Sequence, residues 1–188
     1  MNKTKRKIFE TSMKLFAEKG YDATSIEEIT ATVGVAKGTL YYHFSSKEEI
    51  FGFLIEEGVK LLKNSIEIKT EKLENSIDKI KAIVLIQLKV LVKYEDFMTI
   101  VLREIWGSDS RSLLCQKHVF EYIQEIEKIV IEGINKKEII EGDANVIASG
   151  IFGFTCSSLI YKMRAGQEIE IPVLYSEIEK TFIRKLKR

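Results

Sequence analysis

From Val35 to Lys47 the sequence reads VAKGTLYYHFSSK, a stretch with hydroxyls, an imidazole, ammonium groups and two adjacent phenols but no acid. A helix from about Ala36 to Phe44 puts Leu40 and Phe44 inward at i and i+4. Its opposite face then carries Gly38, Thr39, Tyr41 and Tyr42, with Lys37 at the start and His43 near the end. Those groups suit phosphate oxygens and base edges. Gly38 allows the backbone to come close to a partner. The chemistry is recognition rather than bond making, of the kind a recognition helix brings to a major groove.

Such a helix has to be presented, and the preceding residues supply the support. Thr24 and Ser25 can each cap a helix, and Ser25 with Glu28 has capping-box spacing. Ile26, Ile29 and Val33 fall on one face. Gly34 ends the helix where a left-handed backbone costs least, and Val35 plugs the turn. Upstream, Thr4 to Lys19 has helical spacing of Ile8, Phe9, Met13, Leu15, Phe16 and Ala17, stopped by Gly20. Three helices thus share a small core of Ile8, Phe16, Ile29, Val33, Leu40 and Phe44.

This segment resembles the DNA-binding signature of the TetR family of bacterial transcriptional regulators. The matching residues are Gly20-Tyr21, Thr24-Ser25-Ile26 with Ile29, Gly34-Val35, Lys37 through Phe44, and Ser46-Lys47-Glu48-Glu49. The resemblance implies Lys37, Gly38, Thr39 and Tyr42 at base edges and the groove floor, with Tyr41, His43, Lys47, Thr24 and Ser25 clamping phosphates. His43 as an internal structural histidine is the alternative. The resemblance further implies a homodimer on pseudo-palindromic operator DNA, a small-molecule effector held among the middle helices, and most often a repressor.

The whole chain, 188 residues and 21.6 kDa with a net charge of +1, fits a small domain joined to a larger one. We expect an all-α fold of about nine helices, with residues 1–46 as the helix-turn-helix domain and 47–188 as the effector-binding and dimerisation domain. Lys3, Lys5, Arg6 and Lys7 are bunched as a phosphate-seeking arm would be, or as a solvated tail. Two distant cysteines fit a reduced, cytoplasmic chain. No membrane span is expected, since no run of about eighteen uncharged apolar residues occurs.

After Phe44, Ser45 or Ser46 caps a long helix beginning at Lys47 that could carry movement between the two parts. The segment IDKIKAIVLIQLKVLVKY is apolar nearly all round and should be central. A shorter helix from Glu95, a long one from Ser110, one from Asn145 and a last one after Pro172 complete the layout. Phe97, Trp106, His118, Tyr122, Phe152 and Cys156 are candidates for the effector pocket, with Gln87 and Arg103 as further polar candidates. A largely apolar wall points to a lipophilic or aromatic effector. Plain core packing is the alternative for each aromatic. Gly150, Gly153 and Ser157 allow close helix approach, either inside one subunit or across a two-fold interface.

Catalysis has little to stand on. Cys115 and His118 share a helix face, yet zinc would need further ligands and no phosphate loop, dinucleotide fingerprint or nucleophile elbow occurs. No cofactor is expected. An architectural DNA binder without an effector is the third possibility.

Overall fold

Local sequence signals fix most helix ends. In the computed structural model, which describes residues 2–188, Asn2 caps α1 (Lys3–Lys19) by accepting from the Lys5 backbone N–H at 2.8 Å. Gly20 closes that helix at φ 91°. The next elements are α2 (Ile26–Val33), α3 (Lys37–His43) and α4 (Lys47–Thr70). Ser46 caps α4 through the Glu49 N–H, while the Glu49 carboxylate accepts from both the N–H and the hydroxyl of Ser45 at 2.6 Å. Then come α5 (Ser76–Lys93), α6 (Glu95–Glu104), α7 (Ser110–Asn135) and α8 (Ala144–Arg164), the last capped by Asp143. α9 (Ile171–Ile178) starts around Pro172 and runs on through a π turn, Glu179–Ile183, into a final turn, α10 (Arg184–Leu186). No strand occurs among the described residues, so the fold is all-α as expected.

The chain packs as two units. The first takes in the chain up to Val59 together with Tyr94–His118, and the second Lys60–Lys93 and Val119–Arg188. The division therefore falls within α4 and α7, and α6 belongs with the amino-terminal helices.

In the first unit α1 packs on α2, α3 and α6. All six residues expected in the small core are buried, none more than 3% exposed. The bunched amino-terminal cations do not form a free arm. Lys5 lies 4.7 and 4.6 Å from the ring centroids of Phe44 and Phe53, and Arg6 pairs with Glu10 at 2.8 Å. Lys7 donates at 2.7 Å to the Val33 carbonyl, one of those left unpaired at the end of α2.

A second correction concerns Lys47. Its ammonium does not face outward for a phosphate. It donates to the carbonyls of Tyr21 at 2.9 Å and Thr24 at 2.8 Å, and sits 4.2 Å from the Tyr21 ring centroid. Tyr21 is held from the other elements too. Its hydroxyl donates to Glu48 at 2.8 Å, and the Arg111 guanidinium lies 4.1 Å from its ring. Burial, with the Glu48 contact, raises the Tyr21 pKa. Arg111 grips Asp22 through both its terminal nitrogens, at 3.0 and 3.2 Å, and Asp109 at 2.7 Å, holding the Asp109 carboxyl down at about 2. The loop before α2 is therefore fastened by cations at its carbonyls, its ring and its acid.

In the second unit α5 is central, with Ile77, Ile80, Ile83, Val84, Ile86, Gln87, Leu88 and Leu91 all buried. α8, α9 and the π turn pack with it or with each other. Lys79 of α5 bridges to Glu132 of α7 at 2.8 Å. Phe154 and Phe182 stack at 5.1 Å, which places the π turn against α8.

Replacing Lys47 by Met keeps the aliphatic stem and removes both carbonyl contacts. Urea denaturation should show a loss of roughly 1–3 kcal/mol, the range for charged hydrogen bonds. Unchanged stability would return Lys47 to the surface contacts.

Candidate nucleic-acid interface

α2 begins as its capping residue dictates, with Ser25 accepting from the Glu28 N–H at 3.1 Å. The capping box is only half made, because the Glu28 carboxylate pairs with Lys19 instead of reaching back. The turn needs Gly34, which adopts φ 77° in the left-handed region. There the N–H groups of Gly34 and Val35 both reach the Thr30 carbonyl, at 2.9 and 3.1 Å. That fixes where α3 starts. Leu40 and Phe44 are then buried, at 0% and 1% exposure, which determines the face α3 turns outward.

That outer face is unusually apolar for one in water. Tyr42 is 84% exposed and Tyr41 46%. The Tyr42 ring meets His43 edge-on at 5.0 Å, and His43 is half-buried rather than internal. Thr39 is half-buried and Gly38 exposed. A Cβ added at Gly38 would meet nothing within 4 Å, whereas at Gly58 it would lie 2.3 Å from the Phe97 ring. The fold thus requires a glycine at 58 but not at 38, where the bare backbone faces open space.

Lys37, at the start of α3, bonds Glu27 at 2.5 Å and lies 6.0 Å from the Tyr41 ring centroid. The contact raises the lysine and lowers the carboxyl. Both side chains are more than half exposed, 54% and 67%, so water screens the pair. Ser25 is exposed beside them. Thr24 is a correction: it is 1% exposed, and its hydroxyl bonds the Gly20 and Leu15 carbonyls at 2.8 and 3.3 Å. It fastens the loop and has no free group for a phosphate.

The effector candidates separate. Tyr122, Phe152 and Cys156 come together in the second unit, the two rings 5.9 Å apart. Phe97 is in the first unit, its ring filling the space over Gly58. Trp106, 89% exposed, lines no enclosed pocket. His118 is half-buried on α7. Arg103 donates to the Phe16 carbonyl at 3.1 Å. Burial pushes the thiols of Cys115 and Cys156 up to about 12, so neither is a poised nucleophile.

Gly150, Gly153 and Ser157 line an open groove of about 760 Å³ on the second unit, with Phe154, Tyr161 and Phe182. A Cβ at Gly153 would meet nothing within 4 Å. By length and composition alone α8 is apolar enough to cross a membrane, and 28% of its apolar window is buried. Its apolar face is largely uncovered within one subunit.

Comparison with known proteins gives the same assignment for the amino-terminal segment. The model for bacterial regulatory proteins of the tetR family matches residues 8–52. The HTH-type transcriptional regulator YerO of Bacillus subtilis, itself uncharacterized, is 28% identical over 158 residues, 80% of this chain and 54% of YerO. The icaADBC biofilm operon negative regulator IcaR of Staphylococcus aureus is 39% identical over 74 residues, 39% of this chain and 40% of IcaR. The chain thus spans about half the length of the curated relatives it matches. A solved Clostridium perfringens structure, provisionally named a fatty acid metabolism regulator, is 32% identical and superposes with a TM-score of 0.90, covering 97% of this chain and 99% of that one. The helix-turn-helix geometry and these similarities together place the chain in the TetR family.

Proposed function

We propose that this chain is a ligand-responsive transcriptional repressor, acting in the cytoplasm as a dimer on pseudo-palindromic operator DNA. The observation that carries the reading is the outer face of α3, where an exposed glycine no packing requires sits beside an exposed tyrosine. Lys37, Gly38, Thr39 and Tyr42 would meet base edges, and Tyr41, His43 and Ser25 the backbone phosphates. Residues 1–46 would read DNA and 47–188 hold the effector and the second subunit. IcaR is a negative regulator by name, which supports repression.

Dimerisation supplies the second half-site, since helix-turn-helix dimers read sites about 34–36 Å apart. The groove along α8 is the surface we assign to it, and a stable interface there would bury on the order of 1,600 Å² in total. The effector would be lipophilic or aromatic. The name given to the Clostridium perfringens structure favours the lipophilic side. Ligand binding need not touch the DNA surface. It has only to favour a conformation in which the two recognition helices no longer match the operator, by no more than its own preference for that conformation. α4 begins at the DNA-reading helices and continues into the second unit, which makes it the lever.

Two substitutions test this. Gly38→Ala should leave the fold intact or stabilise it by roughly 0.5–1 kcal/mol, because alanine is the better helix former. It should weaken binding to duplexes selected by the wild type from a random pool by about tenfold or more, the scale of a lost base contact. Equal affinity would remove α3 from the groove. Gly153→Leu should yield folded monomers in sedimentation; intact dimers would move the interface off α8.

A further inference from the structure

Four polar side-chain atoms in the second unit are buried without a protein hydrogen-bond partner: the hydroxyl of Ser76 at the start of α5, eleven residues before Gln87, and three others, Nε2 and Oε1 of Gln87 and the hydroxyl of Tyr122. Gln87 and Tyr122 are each 1% exposed. Gln87 comes from α5 and Tyr122 from α7, with Phe152 and Cys156 of α8 against the phenol. Gln87 is near enough to act on the Tyr122 hydroxyl, yet the two do not meet in hydrogen-bond geometry. Buried amides are satisfied almost everywhere in folded proteins, and an unsatisfied one carries a desolvation cost that folding alone does not recover. Apart from Ser76 at its first position, α5 buries only apolar residues besides Gln87, so leucine would fill Gln87's place at no such cost.

We propose that Gln87 and Tyr122 are the polar anchor of the effector site, and that they select an uncharged acyl head in which a carbonyl sits next to an N–H or O–H. The amide N–H of Gln87 and the phenol O–H donate to the carbonyl oxygen, and the Gln87 carbonyl accepts from the adjacent donor. A primary amide satisfies all three orphaned atoms at once. An ionised carboxylate does not, since it has no donor for Gln87 Oε1. The side chains that act on the Tyr122 hydroxyl, Cys156 and Gln87, carry no positive charge to pair with an anion. The apolar body of the ligand would lie along Phe152 and its neighbours. This inference rests on the effector-responsive reading for its purpose, though not for its chemistry.

The test uses the whole chain at pH 8 with decanamide and decanoate as probes, which share an alkyl chain and differ in the charge of the head. Calorimetry should show the amide binding at least tenfold tighter than the acid. Gln87→Leu should match or exceed the wild-type melting temperature without ligand, lose at least tenfold in decanamide affinity, and retain operator binding. Tyr122→Phe should lose decanamide affinity in the same direction. A lower melting temperature for Gln87→Leu would show the amide satisfied in the folded protein, by an internal water for instance, and would overturn the proposal. Equal affinity for the two probes, binding of neither, or unchanged decanamide affinity in Gln87→Leu would overturn it as well. Operator binding by the wild type is measured on the same preparation. Its absence would refute the repressor reading and leave the anchor to be judged on the probe results alone.

Discussion

Leu40 and Phe44 face inward from α3, and the small core they enter is what the DNA-reading surface depends on. The helix has only seven residues, too few to persist alone in water. It holds its shape because α1, α2 and α3 pack together around Ile8, Phe16, Ile29 and Val33. Packing one face so completely leaves the other uncommitted. An exposed tyrosine and an unneeded glycine can then occupy it without harming the fold, and those are the features a groove-reading surface requires.

The cations of this unit have a division of labour. Lys5, Lys7 and Lys47 look outward-facing in sequence, yet each of them, together with Arg111, is used to hold the small core in place: over aromatic rings, at the end of α2, or on the carbonyls and acid of the loop before it. Lys37, by contrast, has only a Glu27 partner as exposed as the lysine itself, as Arg6 has in Glu10. The positive charge offered to DNA is therefore smaller than the sequence suggests. On the proposed reading, more of the recognition would fall to Tyr41, Tyr42 and backbone approach at Gly38.

Signals that act over one turn of helix could be interpreted from sequence alone. The Ser25 cap, the left-handed Gly34 and the inward pair on α3 all follow from neighbours within four residues. What could not be read was the choice of distant partners. Nothing in the local sequence says that Lys47 bonds two carbonyls more than twenty residues back, or that Arg111 grips Asp22 across 89 residues. The same blindness applies to glycines. Gly58 and Gly133 are crowded by Phe97 and Ile139, while Gly38 and Gly153 face open space, and composition treats all four alike. Trp106 and Tyr122 show it for aromatics, one almost wholly exposed and the other buried. That α6 joins the amino-terminal unit was likewise invisible, because it follows from packing and not from any break in the chain.

The most direct measurement is a dimethyl sulfate footprint on a duplex that the wild-type protein selects from a random pool. The reagent reports guanine N7 in the major groove and adenine N3 in the minor groove, so it distinguishes the two faces of the helix. If α3 enters the major groove from each subunit, guanine N7 should be protected in two blocks centred about one helical turn, or a multiple of it, apart. Protection confined to adenine N3, or a bound complex with no protected guanine, would contradict the assignment of α3 to the groove.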